Sequence, residues 1–217
     1  MRKSIGAALF PLAFGLLLLG STSILGQRAS LLEAEKKLAS LGYWILKVDG
    51  LADPSTKHSI TAFQKVERLK RTGVLNASVM NSIRNADRPK PRYNNVEAHV
   101  EVDLTRQVLF IVDSEGTASH ILPVSTGNGK DFIDKGQWNR ATTPKGAFDI
   151  YLKINGTRRS SLGDLYYPSY FIGGVALHGS NSIPPGPASH GCVRVPRFAE
   201  RGLFRMTPVG MTVFVYD

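Results

Sequence analysis

The 217-residue sequence contains a single cysteine, Cys192. One thiol cannot form an intramolecular disulfide. A zinc site built from His178, His190 and Cys192 is disfavoured as well, because a second cysteine is missing and the His-x-Cys spacing is not typical of zinc ligands. A lone cysteine is more often an inert buried residue than a nucleophile. The residues around Cys192 in the sequence therefore determine whether a catalytic role is predicted.

Acidic residues are scarce in this chain, with 17 Asp and Glu against 27 Lys and Arg and a formal charge of +10. A surface of this sign attracts polyanions over long distances. Nucleic acid, an anionic cell-wall polymer and a membrane surface are all compatible with the charge alone. No nucleic-acid-binding motif accompanies it, so a nucleic-acid partner is not predicted.

Long apolar runs are limited to the N-terminus, where the uncharged residues 4–26 follow a basic start at Arg2 and Lys3. This pattern is typical of a secretory signal peptide, and the run of about 20 residues could also cross a bilayer if it were left uncut. Residues 1–26 are therefore predicted to be a signal peptide or an N-terminal membrane anchor. The remaining chain is predicted to be exported to the periplasm or cell wall, and the anchor would place it at the inner membrane.

Residues 30–87 are predicted to form a small three-helix unit. Apolar residues recur at helical spacing from residue 30, and Gly42 stands where a C-cap glycine belongs. Asp53, followed by proline, is predicted to cap the second helix, and Asn76 the third. Fewer than 60 residues bury only a thin core, so this unit is expected to be marginally stable by itself.

The helical unit resembles the peptidoglycan-binding domain found beside many cell-wall enzymes. Glu35 stands where glutamine is usual, and Ala52-Asp53 replaces the common aromatic-glycine pair. The resemblance implies glycan binding, and a helical spacer without a ligand is the alternative. It is carried by Leu38, Leu41-Gly42-Tyr43, Asp49-Gly50, Thr56, Ala62-Phe63-Gln64 and Thr72-Gly73.

After this unit, the alternating prolines of residues 88–95 predict an extended linker whose charges face solvent. The hydrophobic period then changes to two, and residues 96–102 are predicted to form a half-buried strand. Such spacing favours an all-β sandwich or barrel over residues 96–217. The predicted fold is thus an α+β multidomain protein, with a three-helix domain before a mainly antiparallel β domain. Its other predicted elements are strands at 108–112, 121–124, 147–152 and 211–216 and a helix at 198–205.

The stretch 176–195 concentrates the reactive side chains. A cysteine nucleophile needs a neighbour that removes its proton or stabilises its thiolate, and His178 and His190 are both candidates. Gly191 lets a substrate approach the backbone closely, and backbone N–H groups beside Cys192 can then face a developing oxyanion.

These residues resemble the catalytic motif of the L,D-transpeptidase family, and the likeness extends over residues 96–217. The resemblance implies a cofactor-free enzyme whose cysteine forms a thioester with the tetrapeptide stem of peptidoglycan and releases D-alanine. An amine from a neighbouring stem would then resolve the thioester into a cross-link, and carbapenems would acylate the same cysteine. The matching segments are His178-Gly179, Ser189-His190-Gly191-Cys192-Val193-Arg194, Val102-Asp103-Leu104, Gln107-Val108-Leu109, Val124-Ser125-Thr126-Gly127 and Thr143-Pro144-Lys145-Gly146.

Cys192 is accordingly predicted to be the nucleophile and His178 the general base, with the carbonyl of Gly179 orienting the base. The N–H of Gly191, with that of Cys192, is predicted to bind the oxyanion. His190 is predicted to shape the site. The alternative is that His190 is the general base and His178 shapes the site. A neighbouring imidazolium is expected to lower the thiol pKa below the usual value of about 8.5.

Arg194 and Ser189 are predicted to bind substrate, and a structural role in the loop is the alternative for each. An L,D-carboxypeptidase that releases the same thioester to water is a rival function, since residues 130–140 could set acceptor choice. A non-catalytic protein that binds the cell wall is a second rival. The predicted partners are peptidoglycan stem peptides and glycan.

Overall fold

The computed structural model describes residues 16–217, with side chains from residue 25 onward. Three helices come first: α1 (Leu16–Ser40), α2 (Pro54–Val66) and α3 (Ala77–Asn85). Helix α1 begins earlier than predicted. The signal or anchor prediction falls on residues 1–15, which lie outside the described residues, and on the start of α1. Within residues 16–217, no helix combines the length and the apolar character needed to span a membrane.

The predicted helix caps are present. Asp53 Oδ1 accepts a hydrogen bond from the Thr56 N–H at 2.8 Å, and Asn76 Oδ1 accepts one from the Val79 N–H at 2.9 Å. Gly42 ends the first helix with φ at +94°, in the left-handed region that favours glycine.

Glu35, one of the departures from the peptidoglycan-binding pattern, has a structural role. Its side chain is fully buried, and Oε2 accepts from the N–H groups of Asp49 and Gly50 at 3.0 and 2.8 Å. Oε1 accepts from the Thr56 hydroxyl at 2.9 Å. The carboxylate therefore fixes the turn between α1 and α2 against the start of α2.

The rest of the described chain is mainly β-structure. A 3-10 turn (Arg197–Ala199) and helix α4 (Glu200–Met206) precede the last strand. The strands are β1 (His99–Asp103), β2 (Val108–Val112), β3 (Ala118–Pro123), β4 (Asp131–Asp134), β5 (Gln137–Arg140), β6 (Gly146–Asp149), β7 (Leu152–Lys153), β8 (Thr157–Ser160), β9 (Gly163–Ile172), β10 (Val175–Ser180), β11 (Val193–Pro196) and β12 (Thr212–Tyr216).

Two mixed sheets pack face to face. The first has the order β3-β2-β1-β12-β6, and the second has the order β11-β10-β9-β7 with β8 paired to β9. The pairs β1–β12 and β10–β11 are parallel and the remaining pairs are antiparallel, with β4–β5 forming a separate hairpin. Three helices followed by a mainly antiparallel β domain confirm the predicted fold class. The core between the sheets includes Val100, Val102, Leu109, Ile111, Leu122, Leu177, Val193 and Val213.

Strands β1 and β2 of the first sheet are also buried on their other face, so the prediction of a half-buried first strand is wrong. His99 and Glu101, which alternate with the apolar residues of β1, are 1% and 0% exposed. Over β2 and β3 this face packs against the helices, and the helical unit thereby gains the apolar contacts that fewer than 60 residues lack. The shared core includes Leu38, Phe63, Ile83, Val108, Phe110, Val112, Ala118 and Ile121.

The predicted linker, residues 88–95, covers part of the same face. The N–H groups of Arg92 and Tyr93 donate to the two carboxylate oxygens of Glu101 at 2.9 and 2.7 Å. The Arg88 guanidinium donates to backbone carbonyls at the end of α1 and the start of β3, at 2.6 and 2.9 Å. The charged residues of this segment, Arg88, Lys90 and Arg92, are exposed as predicted. The segment is nevertheless hydrogen-bonded to both units.

Candidate active site

Two neighbouring parallel strands position the predicted nucleophile and base. His178 lies on β10 opposite Arg194 of β11, and Cys192 immediately precedes β11. Cys192 and His178 line the same cleft, which has a volume of about 1140 Å³. The hairpin β4–β5 and the strands β8 and β9 provide other parts of its wall.

His178 is held in the orientation that a general base requires. The residue is 5% exposed, and Nδ1 donates to the Gly179 carbonyl at 2.8 Å. A carbonyl can only accept, so Nδ1 carries the proton and Nε2 keeps its lone pair. Burial lowers the pKa of His178 to about 4, and the positive charge of Arg194 lowers it as well. The hydrogen bond to the Gly179 carbonyl has the opposite effect and raises the pKa. The imidazole is therefore neutral at neutral pH.

The surroundings of Cys192 favour its neutral thiol over its thiolate. Burial raises the pKa of its thiol, while a backbone contact with Ala176 and the charge of Arg194 partly offset that effect. The thiol donates weakly to the carbonyl of Gly174, with Sγ and O 3.7 Å apart. The expected lowering of the thiol pKa by an imidazolium is not found here, because burial disfavours the charged form of both partners.

The loop that carries Cys192 is closed by its own hydrogen bonds. The Ser189 hydroxyl donates to the Cys192 carbonyl at 2.6 Å and accepts from the Gly191 N–H at 3.0 Å. The Thr143 hydroxyl donates to the Gly191 carbonyl at 2.6 Å. Gly191 has φ at +136°, a conformation that L-residues with side chains rarely adopt.

Two groups that were predicted to contact the substrate make hydrogen bonds within the loop. Ser189 is 1% exposed, and its hydroxyl stabilises the loop through its bonds to Cys192 and Gly191. The N–H of Gly191 points to the Ser189 hydroxyl and not into the cleft, so it is not a free oxyanion donor in this conformation. The backbone N–H of Cys192 is the other donor that the sequence analysis proposed.

The V-S-T-G segment, residues 124–127, frames the catalytic loop from both sides. Ser125 pairs with Arg194 through two backbone hydrogen bonds of 3.2 and 3.0 Å. The Thr126 carbonyl accepts from the N–H groups of Ala188 and Ser189, both at 2.9 Å. The sequence identified this segment as a family landmark, and the structure gives the landmark its physical role.

His190 and Arg194 lie at the cleft in different settings. His190 is exposed, and its ring centroid is 4.6 Å from that of Phe132 in strand β4. It therefore connects the catalytic loop with the hairpin, away from the buried position that His178 occupies. Arg194 lines the cleft, and among the described side chains its guanidinium has neither a hydrogen bond nor an ion pair.

Tyr170 and Arg158 were not identified from the sequence. Tyr170 lies on β9 and lines the cleft, and burial raises the pKa of its hydroxyl. Arg158 lines the same cleft, and its positive charge opposes that rise in pKa. Both side chains come from strands β8 and β9, which carry no recognisable motif.

A buried histidine, oriented by a backbone carbonyl in the cleft of a cysteine, defines the class of cysteine-dependent acyl-transferring enzymes. Comparison with known proteins assigns the family within this class. The family model of the L,D-transpeptidase catalytic domain matches residues 97–215, and that of a peptidoglycan-binding domain matches residues 27–83. The chain therefore belongs to the L,D-transpeptidase family.

Solved structures agree with this assignment. An L,D-transpeptidase from Xylanimonas cellulosilytica is 41% identical, with a TM-score of 0.81 over 86% of this chain and 92% of the other. An L,D-transpeptidase from Stackebrandtia nassauensis is 26% identical, with a TM-score of 0.52 over 86% of this chain and 90% of the other. Among curated proteins, no match was found. The protein is an L,D-transpeptidase acting on cell-wall peptidoglycan, which confirms the predicted family and enzyme class.

Proposed function

We propose that this enzyme cross-links peptidoglycan stem peptides through a thioester on Cys192, with His178 as the general base. The observation that carries the proposal is the 2.8 Å contact between His178 Nδ1 and the Gly179 carbonyl. It leaves Nε2 unprotonated in the cleft that also contains Cys192.

Acylation begins from a neutral thiol and a neutral imidazole. As Cys192 Sγ bonds to the carbonyl carbon of the donor stem, its proton passes to His178 Nε2. The Cys192 N–H is the proposed donor to the resulting oxyanion. When the carbon–nitrogen bond breaks, the imidazolium returns the proton to the leaving amine of D-alanine, and the thioester remains.

Transfer reverses the roles of the same groups. An amine of a neighbouring stem attacks the thioester and gives its proton to His178 Nε2. The sulfur of Cys192 leaves and recovers that proton, so the enzyme returns to its neutral state. The energy of the broken peptide bond is retained in the thioester, so no nucleotide is needed.

Arg194 is the proposed partner for a carboxylate of the stem peptide. A guanidinium in the cleft that pairs with no described side chain can form two parallel hydrogen bonds with a carboxylate. Its backbone hydrogen bonds with Ser125 fix the position from which the side chain extends.

The other segments are assigned by the same proposal. Residues 30–87 bind peptidoglycan glycan, residues 88–95 connect the units, and residues 96–217 carry the chemistry. Residues 1–26 act as a signal peptide or membrane anchor, so the enzyme works in the periplasm or cell wall. The exposed basic surface implied by the formal charge of +10 supports this location, since it favours contact with anionic wall polymer.

Mass spectrometry after incubation with a tetrapeptide-stem muropeptide tests the reaction. A cross-linked dimer with loss of D-alanine is expected, and Cys192→Ala should form neither dimer nor thioester. Trimmed monomer alone would identify an L,D-carboxypeptidase. Unchanged substrate, with intact Cys192→Ala protein still sedimenting with purified sacculi, would support the non-catalytic wall-binding alternative.

A further inference from the structure

Lys65, in the last turn of α2, is a fully buried lysine at the boundary between the two units. It is 0% exposed, and its ammonium donates to the carbonyls of Gln107 and Val124 at 3.0 and 2.7 Å. Both acceptors belong to the catalytic domain, separated from Lys65 by 42 and 59 residues in the chain. These bonds connect the helical unit directly with the β domain.

Burial of this ammonium opposes its charged form. Burial, reinforced by the charge of Arg71, lowers the pKa of Lys65 to about 7. The hydrogen-bond partners are neutral carbonyls, so no carboxylate among them compensates the lost hydration. An apolar side chain of similar length would fill this position at a smaller desolvation cost. The lysine is therefore better explained by what it holds in place than by packing.

Both acceptors of Lys65 belong to the frame of the catalytic loop. Val124 opens the segment 124–127 that pairs with the loop on both sides. The side chain of Gln107 accepts from the Thr126 N–H at 3.0 Å and donates to the Thr126 hydroxyl at 2.7 Å. The Thr126 carbonyl then accepts from the N–H of Ser189, whose hydroxyl holds the Cys192 carbonyl.

Arg71, which follows α2, makes a second connection from the helical unit. One guanidinium nitrogen donates to the carbonyl of Pro185 at 2.9 Å, and the other donates to that of Thr105 at 3.3 Å. Pro185 lies in the segment that enters the catalytic loop, and Thr105 lies in the turn before Gln107. The two cations thus support the loop at its entry and through its frame.

We infer that Lys65 is a positioning residue for the catalytic loop, acting from the helical unit through the carbonyls of Val124 and Gln107. Arg71 supports the entry to the same loop. The helical unit then contributes to acylation of Cys192 in addition to its proposed role in wall binding. This inference relies on the proposed function only for the identity of the acylated residue.

The full-length variant Lys65→Met tests the inference, because methionine keeps the length and packing of the side chain and removes the donors. With a carbapenem as the probe, adduct at Cys192 should still reach full occupancy in mass spectra. Its first-order rate constant at saturating probe should fall roughly 10-fold or more, the scale expected when reacting groups are slightly misplaced. Lys57→Met, on the exposed side of α2, is the matched control and should retain the wild-type rate.

Hydrogen exchange provides a readout that does not depend on activity. Peptides covering residues 124–128 and 186–195 should exchange faster in Lys65→Met than in Lys57→Met, with the other peptides unchanged. Absence of a wild-type adduct would refute the proposed nucleophile but would leave this comparison intact. Wild-type exchange and rate in Lys65→Met, or faster exchange spread evenly over the chain, would overturn the positioning role.

Arg71→Gln is a second variant in case Lys65→Met does not fold. The Arg71 side chain is only partly buried, so its loss is compatible with the fold. Faster exchange confined to residues 183–189 and a smaller fall in the acylation rate are expected. If both the acylation rate and the exchange were unchanged in this variant, that result alone would refute a contribution of the helical unit to acylation of Cys192.

Discussion

The carboxylate of Glu200, in helix α4, packs directly against Gly179, whose carbonyl holds the ring of His178. A Cβ atom at position 179 would lie 2.7 Å from Glu200 Cβ and still closer to its carboxylate. Glu200 is itself fixed by an ion pair with Arg197, with 2.6 Å between Oε2 and Nε. The glycine after His178 is thus required by the packing of α4 on β10, as well as by its carbonyl.

The substitution Gly179→Ala should therefore damage both stability and catalysis. Overpacking of this kind usually destabilises a protein by roughly 1–3 kcal/mol. A displaced carbonyl would also release the His178 ring, so the acylation rate should fall at least about 10-fold in protein that is still folded. Thermal unfolding and carbapenem acylation kinetics measure the two effects separately.

Ser78→Ala is the control for this substitution. Ser78 is exposed in α3, where alanine has the higher helix propensity, so the change should be tolerated or slightly stabilising. Wild-type melting and wild-type acylation in Gly179→Ala would show that α4 can move away without disturbing the base.

The pH dependence of Cys192 alkylation should reveal a raised thiol pKa. Burial disfavours the thiolate, so the iodoacetamide rate in the substrate-free enzyme should rise with a midpoint above the value of about 8.5 for a free cysteine. Below that midpoint, the thiol is protonated and alkylation is slow. A midpoint well below that of free cysteine would instead indicate a preformed thiolate–imidazolium pair.

Arg194→Gln tests the sign of the electrostatic contribution to the same pKa. The positive charge of Arg194 favours the thiolate and partly offsets burial. Its removal should move the alkylation midpoint of Cys192 to still higher pH. An unchanged midpoint would place the guanidinium too far from the thiol to act on it. Arg201→Gln, on exposed α4 surface, provides the charge-matched control.

The motif around Cys192 was sufficient to predict the family and the residues that meet in the cleft, because these residues are close in sequence. It could not predict which of their polar groups remain free. Ser189 and the Gly191 N–H were assigned to substrate and oxyanion, but they bond to each other and to the Cys192 backbone. Such pairing depends on loop conformation, which residue identity does not specify.

Hydrophobic periodicity predicted the three helices and several strands, but it did not predict which elements pack against them. The pattern of β1 predicted one solvated face, whereas the helical unit and residues 88–95 bury that side of the sheet. Strands β8 and β9 were not predicted, because β8 is exposed along its length and β9 mixes exposed, partly buried and buried residues, so neither shows a clear alternation. Lys65 gave no signal at all, since a lysine on a helix is ordinarily a surface residue.

The shared core predicts that the helical unit and the β domain unfold together. Phe63 of α2 is 0% exposed and belongs to the same apolar cluster as Phe110 and Ile121 of the β domain. Phe63→Ala should lower the free energy of unfolding by roughly 3–5 kcal/mol. Circular dichroism of the helices and loss of Cys192 acylation should then shift to lower temperature together.

Independent units would behave differently in that experiment. If the helical signal were lost at a lower temperature while acylation persisted to the wild-type temperature, the shared core would not couple the two units. Leu51→Ala, at a position 53% exposed in the helical unit, is the control and should change neither midpoint appreciably.

The two histidines of the motif should differ sharply in their effect on acylation. His178→Ala removes the buried, oriented base and should slow carbapenem acylation roughly 100-fold or more, the usual range for general-base removal. His190→Ala removes an exposed ring that contacts Phe132, so it should disturb the hairpin and change the rate by less than about 10-fold. Circular dichroism should show both variants folded. A larger loss in His190→Ala, recovered at alkaline pH where the thiol ionises without a base, would mean that the two histidines have exchanged roles.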